Sequence, residues 1–556
     1  MTEPRYLHPE RRWVLLPLAF AAVMVAAVWL RYAGSWAETD TVALTTAARA
    51  TGAEGTINPS AGGYRHGFSY PSLIVFVAAA TGLSMATIQV TVLPWLLLLT
   101  AGVAFITFRA VLGSGRAGAI CALLLLVQAD FLFVNLRGSH EKVTWTLVLM
   151  LVYTLVASFR HHRFAGAAPL TIVFYLAGFG LIATSAFFAS SLIASFALSF
   201  LGGLVVIRWF PRDRELRPFL RRLGYVFATM SVFSYLYVAY LFPPVRTSLG
   251  DLEGVADRIA ALYLNVESST KSTPAQPGGG DSTGGATAAT ATLTTAVASP
   301  YKQVSAAWTN TTTYFALTGF TWVLIAAAAI AWLVNLGRFF RRGVSHGEAP
   351  LFLVWAFAGV TGLQIAGAVV VDASGALGSN MQLRLFPPFV LLVIPLVVGT
   401  LQRLRWPGSR AGVRGVAAGA GVLCFAYFAG AAYLKATSDP VVSNKWIGYS
   451  RSEAVVFGWA NAHLGGVTIW GEFDERITTA NVMVADDRPE SAANSPIWVS
   501  GSQVRSGTRY VMVSDVTTRR VLRLGEIMPD TGGDDRIYDN GKVQVTHRVP
   551  DSPYVP

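Results

Sequence analysis

The chain has 556 residues, 53% of them hydrophobic and only 13% charged, against about 25% charged in an ordinary soluble domain. The deficit excludes a wholly water-soluble globular protein and names lipid as the main solvent. Forty-three Lys and Arg against 31 Asp and Glu give a net charge of +12, but the Arg residues cluster in short loops between apolar segments, which argues against a nucleic-acid surface as the reason for the charge.

The first apolar stretch, Trp13 to Leu30, follows Arg11-Arg12, and no small-residue cleavage site succeeds it, so it reads as a retained span rather than a signal peptide. Segments near the spanning length of about 20 residues then recur. They predict an α-helical polytopic membrane protein of about eleven spans, at 13–31, 88–108, 117–135, 142–159, 168–183, 186–207, 223–242, 313–336, 350–371, 385–401 and 415–434. Tyr70 to Thr81 is apolar but too short to span, and it reads as an interfacial or re-entrant helix. With the N-terminus inside, the inner loops carry about 20 Lys and Arg, including Arg208 to Arg222, Arg338 to Arg342 and Arg403 to Arg414, whereas the much longer outer loops before residue 435 carry about ten. Counting 70–81 as a span would reverse every later loop, so the positive-inside rule selects an N-in, C-out topology. Cys121 and Cys424 both fall in apolar segments and read as small core residues.

Residues 1–434 are thus expected to form the membrane domain. Its outer side carries a first loop over 31–87 with interfacial helices, a short loop from Asn135 to Glu141, and a long one over 243–312. Within the last, 266–300 is Gly/Ser/Thr/Ala-rich, a composition that cannot bury a core and reads as a flexible linker or flap. From 435 to 556 the composition becomes that of a small extracytoplasmic mixed α/β domain. Ser452 to Leu464 predicts a Ser-capped helix with Glu453 in its first turn. Val467–Trp470 and Tyr510–Val513 predict buried strands, and Asn540-Gly541 between Arg536–Asp539 and Lys542–Val545 predicts a hairpin.

Four outer-face motifs are candidates for chemistry. Glu38-Thr39-Asp40 follows the first span. In an extended segment residues two apart share a face, so both carboxylates can meet one hard cation such as Mg²⁺ or Mn²⁺, or one can act as a general base; a solvated acidic loop is the plain alternative. His140-Glu141 pairs two metal-ligand types, or Glu141 simply forms a surface ion pair with Lys142. Arg384 is the sole basic residue of its short outer loop, suited to phosphate oxygens or to lipid headgroups. Tyr64-Arg65-His66-Gly67-Phe68-Ser69-Tyr70-Pro71 offers aromatic and basic groups for a lipid phosphate or sugar, or for an aromatic belt. Asp130 and Asp372 lie near the outer ends of their spans, where hydration explains them equally well. The sequence contains no Walker loop, GxSxG elbow or HExxH.

Taken in order, these motifs resemble the GT-C superfamily of membrane glycosyltransferases, which use polyprenyl-phosphate or polyprenyl-diphosphate sugars and include oligosaccharyltransferase catalytic subunits and protein mannosyltransferases. Ala37-Glu38-Thr39-Asp40-Thr41 stands where that superfamily carries its first acidic motif. Phe68-Ser69-Tyr70-Pro71-Ser72-Leu73 matches the Tyr-Pro start of an interfacial helix, and Gly138-Ser139-His140-Glu141 occupies the place of the second acidic motif. The first motif departs from a strict DxD or DE, and the second has His where oligosaccharyltransferases often have an acid. Trp470-Gly471-Glu472-Phe473-Asp474 is not the WWDYG acceptor motif, so transfer of one sugar to a lipid, polysaccharide or protein is expected rather than oligosaccharide transfer to Asn.

The resemblance implies a catalytic site at Asp40, as base or key metal ligand, with Glu38 in support. His140 and Glu141 would complete a divalent-metal site with Asp40 or position the acceptor. Arg384, Arg65 and His66 would bind the donor phosphate, and Tyr64 and Tyr70 would line the groove for lipid and sugar. It places the protein in the plasma membrane with its site facing outside; its partners would be a polyprenyl-phosphate-linked sugar, membrane lipid and a glycan, lipid or protein acceptor, with no nucleic acid. A transporter or lipid flippase would instead need ionisable residues deep in its spans, whereas every Lys and Arg falls in a predicted loop or the tail. A non-catalytic scaffold for envelope assembly would tolerate Asp40→Ala.

Overall fold

A computed structural model describes residues 12–56, 67–159, 164–209, 216–237, 308–373, 381–403, 411–485, 495–501, 508–524 and 527–548. The chain is a multipass helical membrane protein with a small sheet-bearing part at its C-terminal end. Eight helices among the described residues are long and apolar enough to cross a bilayer, or nine if one bent pair counts as a single span. Helix α1 (Leu15–Tyr32) comes first, and α2 (Thr39–Glu54) and α3 (Ser69–Thr81) follow it. At 13 residues, α3 is too short to span. Helix α4 (Met85–Leu112) is one continuous rod that passes through a π turn at Ile88–Val92 and a 3₁₀ turn at Leu93–Trp95; Pro94, which has no N–H to give, sits at that irregularity.

Three of the eleven expected spans are not among these eight helices. The segment 117–135 is two helices, α5 (Gly115–Leu126) and α6 (Ala129–Leu136), bent by 75°. Gln128 makes the break by capping α6, its Oε1 accepting from the Phe131 N–H at 2.6 Å. After α7 (Glu141–Phe159), α8 (Phe164–Thr184) provides only a short apolar helix over Ala168–Thr184. Beyond α9 (Ala186–Trp209), α10 (Leu216–Leu236) opens with Arg217, Arg221 and Arg222, charges that a helix surrounded by hydrocarbon accommodates only at cost. The rest of that predicted span lies outside the described residues, as do the 266–300 segment and the predicted Tyr64, Arg65 and His66. The later spans are α11 (Thr311–Arg342), α12 (Ala349–Ala373), α13 (Met381–Arg403) and α14 (Ala411–Ala436). Cys121 is buried as expected, but Cys424 is exposed on the outside of α14. Asp130 is held by Lys435, whose Nζ donates to its Oδ1 at 2.6 Å, so the end of α6 is tied to the end of α14.

The C-terminal part has five strands in the order β2-β1-β3-β5-β4. Strand β1 (Thr468–Glu472) pairs in parallel with β2 (Ile497–Ser500) and β3 (Tyr510–Ser514), and β5 (Val543–His547) pairs antiparallel with β3 and with β4 (Asp535–Asp539). The Asn540-Gly541 hairpin is present, with Gly541 at φ +81°. The expected Ser-capped helix is α15 (Arg451–His463), but its cap is Ser450, which forms a reciprocal capping box with Glu453. Sequence reading missed β2 and the helices α16 (Arg476–Val484) and α17 (Asp515–Leu524).

This part packs directly on the segment between α1 and α4. Ala37 and Ala86 belong to the same apolar core as Val456, Phe457, Ile469 and Met512. Trp36 bridges to Gly448, and the Ala37 N–H donates to the Ile447 carbonyl at 2.8 Å. Arg49 of α2 donates to the Val482 and Ala485 carbonyls at the end of α16, both at 2.7 Å.

Candidate active site

The segment between α1 and α2 is pinned on both sides of Glu38, and that pinning aims the acidic motif. Glu38 is the N-cap of α2, extended at φ −147° and ψ 149°, and accepts from the Thr41 N–H at 3.3 Å. Asp40 lies in the first turn of the helix, so the two carboxylates straddle the change from extended to helical backbone. Between them, the Thr39 hydroxyl donates to Glu475 Oε1 at 2.6 Å, so the C-terminal part holds this motif directly.

Both carboxylates converge on a residue that the sequence reading quoted only as part of a loop. Arg137 Nη1 donates to Glu38 Oε1 at 2.9 Å, and Nη2 contacts Asp40 Oδ2 at 2.8 Å and Glu141 Oε1 at 2.9 Å. Its guanidinium also lies 4.8 Å from the Phe133 ring centroid. The planar fork of Arg suits this shared hold, which a Lys ammonium cannot reproduce. The Glu38, Glu141 and Arg137 side chains are 9 to 16% exposed, whereas that of Asp40 is 51% exposed. One carboxylate therefore stands exposed on a buried ionic base. Burial alone would depress the Arg137 guanidinium, but Glu141, Glu38 and Asp40 together hold it above its ordinary value. Burial raises the Glu38 carboxyl, with Arg137 opposing and Asp40 adding to the rise.

The two acidic loops touch through backbone as well. The Gly138 N–H donates to Thr41 Oγ1 at 3.0 Å. A Cβ at Gly138 would lie 2.5 Å from Thr41 Cγ2 and 3.0 Å from Gln89 Oε1. Gly138→Ala is therefore expected to force the loops apart, costing about 1–3 kcal/mol of stability, the usual range for overpacking. Thermal unfolding of the variant beside the parent checks this; an unchanged midpoint would show that the contact is not tight.

The other sequence candidates fall variously around this centre. His140 is buried, its Nδ1 3.8 Å from Glu141 Oε2, with its ring 6.3 Å from that of Phe188. Burial holds its imidazole below the ordinary value; Glu141 opposes the shift and Arg137 adds to it. Lys142 is not the surface partner of Glu141: it is fully buried and its amine makes no hydrogen bond. Arg384 lies one turn inside α13 rather than before it, is exposed, and is near enough to disfavour protonation of His140. Tyr70 is 1% exposed and donates to Gln89 Oε1 at 2.7 Å, and so braces the acidic loop from behind. A large apolar groove of about 770 Å³ lies elsewhere, among α9, α11, α12 and α13, and includes Trp332, Gly359, Phe389 and Val393.

The expected metal set of Asp40, His140 and Glu141 does not fit a cation in this arrangement. Asp40 and Glu141 spend their nearest oxygens on Arg137, which puts a positive charge where an ion would sit. Among the described residues no group of three or more His, Cys, Asp or Glu is placed to hold a metal.

No family model matches the chain, and no curated protein matches it. Solved structures do. ArnT from Cupriavidus metallidurans in the apo state is 14% identical, with 97% of this chain and 98% of that one covered at a TM-score of 0.37. The same protein bound to undecaprenyl phosphate gives 12% identity, the same coverage and a TM-score of 0.36. The archaeal oligosaccharyltransferase AglB from Archaeoglobus fulgidus, in complex with an inhibitory peptide and a dolichol-phosphate, is 13% identical over 91% of this chain and 69% of its own, at a TM-score of 0.48.

Proposed function

We propose that this protein is a membrane glycosyltransferase that moves a sugar from a polyprenyl-phosphate or polyprenyl-diphosphate donor to a lipid, polysaccharide or protein acceptor on the outer face of the plasma membrane. The observation that carries the reading is the half-exposed Asp40 carboxylate held on Arg137 beside the ends of α1 and α7. Asp40 takes the proton of the acceptor hydroxyl as that oxygen bonds to the anomeric carbon, while the bond from that carbon to the donor phosphate breaks and the phosphate leaves with the electron pair. Arg137 orients Asp40; Glu38 and Glu141, more deeply buried, fix Arg137. Arg384, near enough to act on His140, stabilises the departing phosphate.

The lipid chain follows α13. Arg384 starts that helix, and five residues further, about 7.5 Å along its axis at 1.5 Å per residue, Phe389 begins the wall of the apolar groove. A headgroup at Arg384 thus leads into a groove suited to a prenyl tail. Purified protein incubated with labelled polyprenyl-phosphate sugars, with and without divalent metal, is expected to transfer label to an acceptor. No transfer from any donor under either condition would overturn the reading.

A further inference from the structure

The most exposed large apolar side chains of the C-terminal part are on α17, just after it in sequence, and on the turn after the last span. Leu522 is 83% exposed, Ile527 73% and Val441 68%. Their height follows from how α17 is fastened. The Tyr32 hydroxyl donates to the Thr437 carbonyl, so the outer ends of α1 and α14 are level. Just past that point, Arg31 meets Asp439 at 3.8 Å. Arg523 of α17 donates to the carbonyls of Pro440, Val441 and Ser443. The C-terminal end of α17 therefore rests on the turn that directly follows the last span. Trp29, 48% exposed on the outer end of α1, marks the same boundary, as interfacial Trp residues do.

Charge fits this position too. α17 turns Arg520 inward to Asp474 and Glu472, and leaves Arg519 and Arg523 exposed beside Leu522. Apolar tips flanked by guanidinium groups match the boundary between acyl chains and phosphate headgroups. Isolated exposed apolar residues on a water-facing surface need no explanation, but three grouped at a membrane edge do.

We infer that the C-terminal end of α17 and the Val441 turn are a membrane-contact surface: Leu522, Ile527 and Val441 enter the outer leaflet, and Arg519 and Arg523 meet headgroup phosphates. The contact seats the C-terminal part on the bilayer, and that part holds Thr39 through Glu475. The inference rests on the spans and their ends, not on the proposed reaction.

The test is fluorescence quenching on the full chain in lipid nanodiscs, with Cys121 and Cys424 replaced by Ser. A polarity-sensitive dye is attached in separate variants at Leu522→Cys, Val441→Cys and, as a control, Ile497→Cys, which is 59% exposed on the strand β2. Spin-labelled acyl chains are expected to quench the first two labels several-fold more than the control, and aqueous iodide to quench them less. The acyl-chain quenching is expected to grow when phosphatidylglycerol replaces part of the phosphatidylcholine and to fall with Arg519→Glu. Labels at Leu522 and Val441 that behave as at Ile497 would overturn the inference. Labels shielded from both quenchers would overturn it as well, because a protein surface rather than lipid would then cover the patch.

Discussion

Asp40→Asn is expected to reduce sugar transfer by on the order of 10²–10⁴-fold, the usual contribution of a positioned general base, while the protein still folds. Asn keeps the shape of Asp and can still accept from Arg137, but it cannot take a proton. Its side chain is half exposed, so little buried structure depends on its charge. A second variant separates the base from its support. Arg137→Lys keeps one positive charge but loses the fork that reaches Glu38, Asp40 and Glu141 together. Activity is expected to fall by at least about tenfold, because Asp40 is no longer fixed in a productive orientation. Turnover measured with a labelled polyprenyl-phosphate sugar decides both. Wild-type turnover in Asp40→Asn would remove Asp40 from the reaction.

The largest expected loss of stability lies in the C-terminal part. Arg476 is fully buried; it donates to Glu453 Oε1 and Glu472 Oε2, each at 2.9 Å, and both acids are fully buried as well. The Ser514 hydroxyl gives Glu453 a further bond at 2.7 Å. Arg476→Met leaves Glu453 buried without its counter-charge and Glu472 with Arg520 alone, and breaking such a network costs about 3–5 kcal/mol. Denaturant unfolding of the full chain is the measurement, and a change below about 1 kcal/mol, the scale of an exposed ion pair, would contradict the buried geometry. The same network sets an acid dependence. Although burial would raise it, Arg476 and its hydrogen bonds hold the Glu453 carboxyl below its ordinary 4.5. Its contribution is therefore fully present above about pH 4.5 and is lost as pH falls through the lower, folded-state value. The parent should lose stability in that window, and Arg476→Met should flatten the loss.

The helical membrane class and the hairpin at Asn540-Gly541 were legible because each rests on local chemistry: apolar runs long enough to span, and a turn that needs Gly at positive φ. The span count was less legible. Apolarity alone does not show the 75° break at Gln128 or weigh the Arg residues that open α10. Within the site, Glu38, Asp40 and Glu141 could be picked out as carboxylates placed beside spans, where unused charge is costly. Arg137 could not, because its role depends on two loops 99 residues apart meeting at one guanidinium. An Arg in a short outer loop next to an acid was the one signal on offer, and it fits a solvated loop equally well.

The sequence by itself determined that this chain spans a membrane many times and carries acidic motifs beside its spans, since hydropathy, composition and spacing are properties of neighbouring residues. Only the tertiary structure decided that those acids share Arg137 rather than a metal-ready space, that Asp40 alone faces outward, and that the C-terminal part grips the motif through Glu475 and Thr39. Those outcomes depend on which distant segments touch, and contact between distant segments is settled by packing that no local pattern encodes.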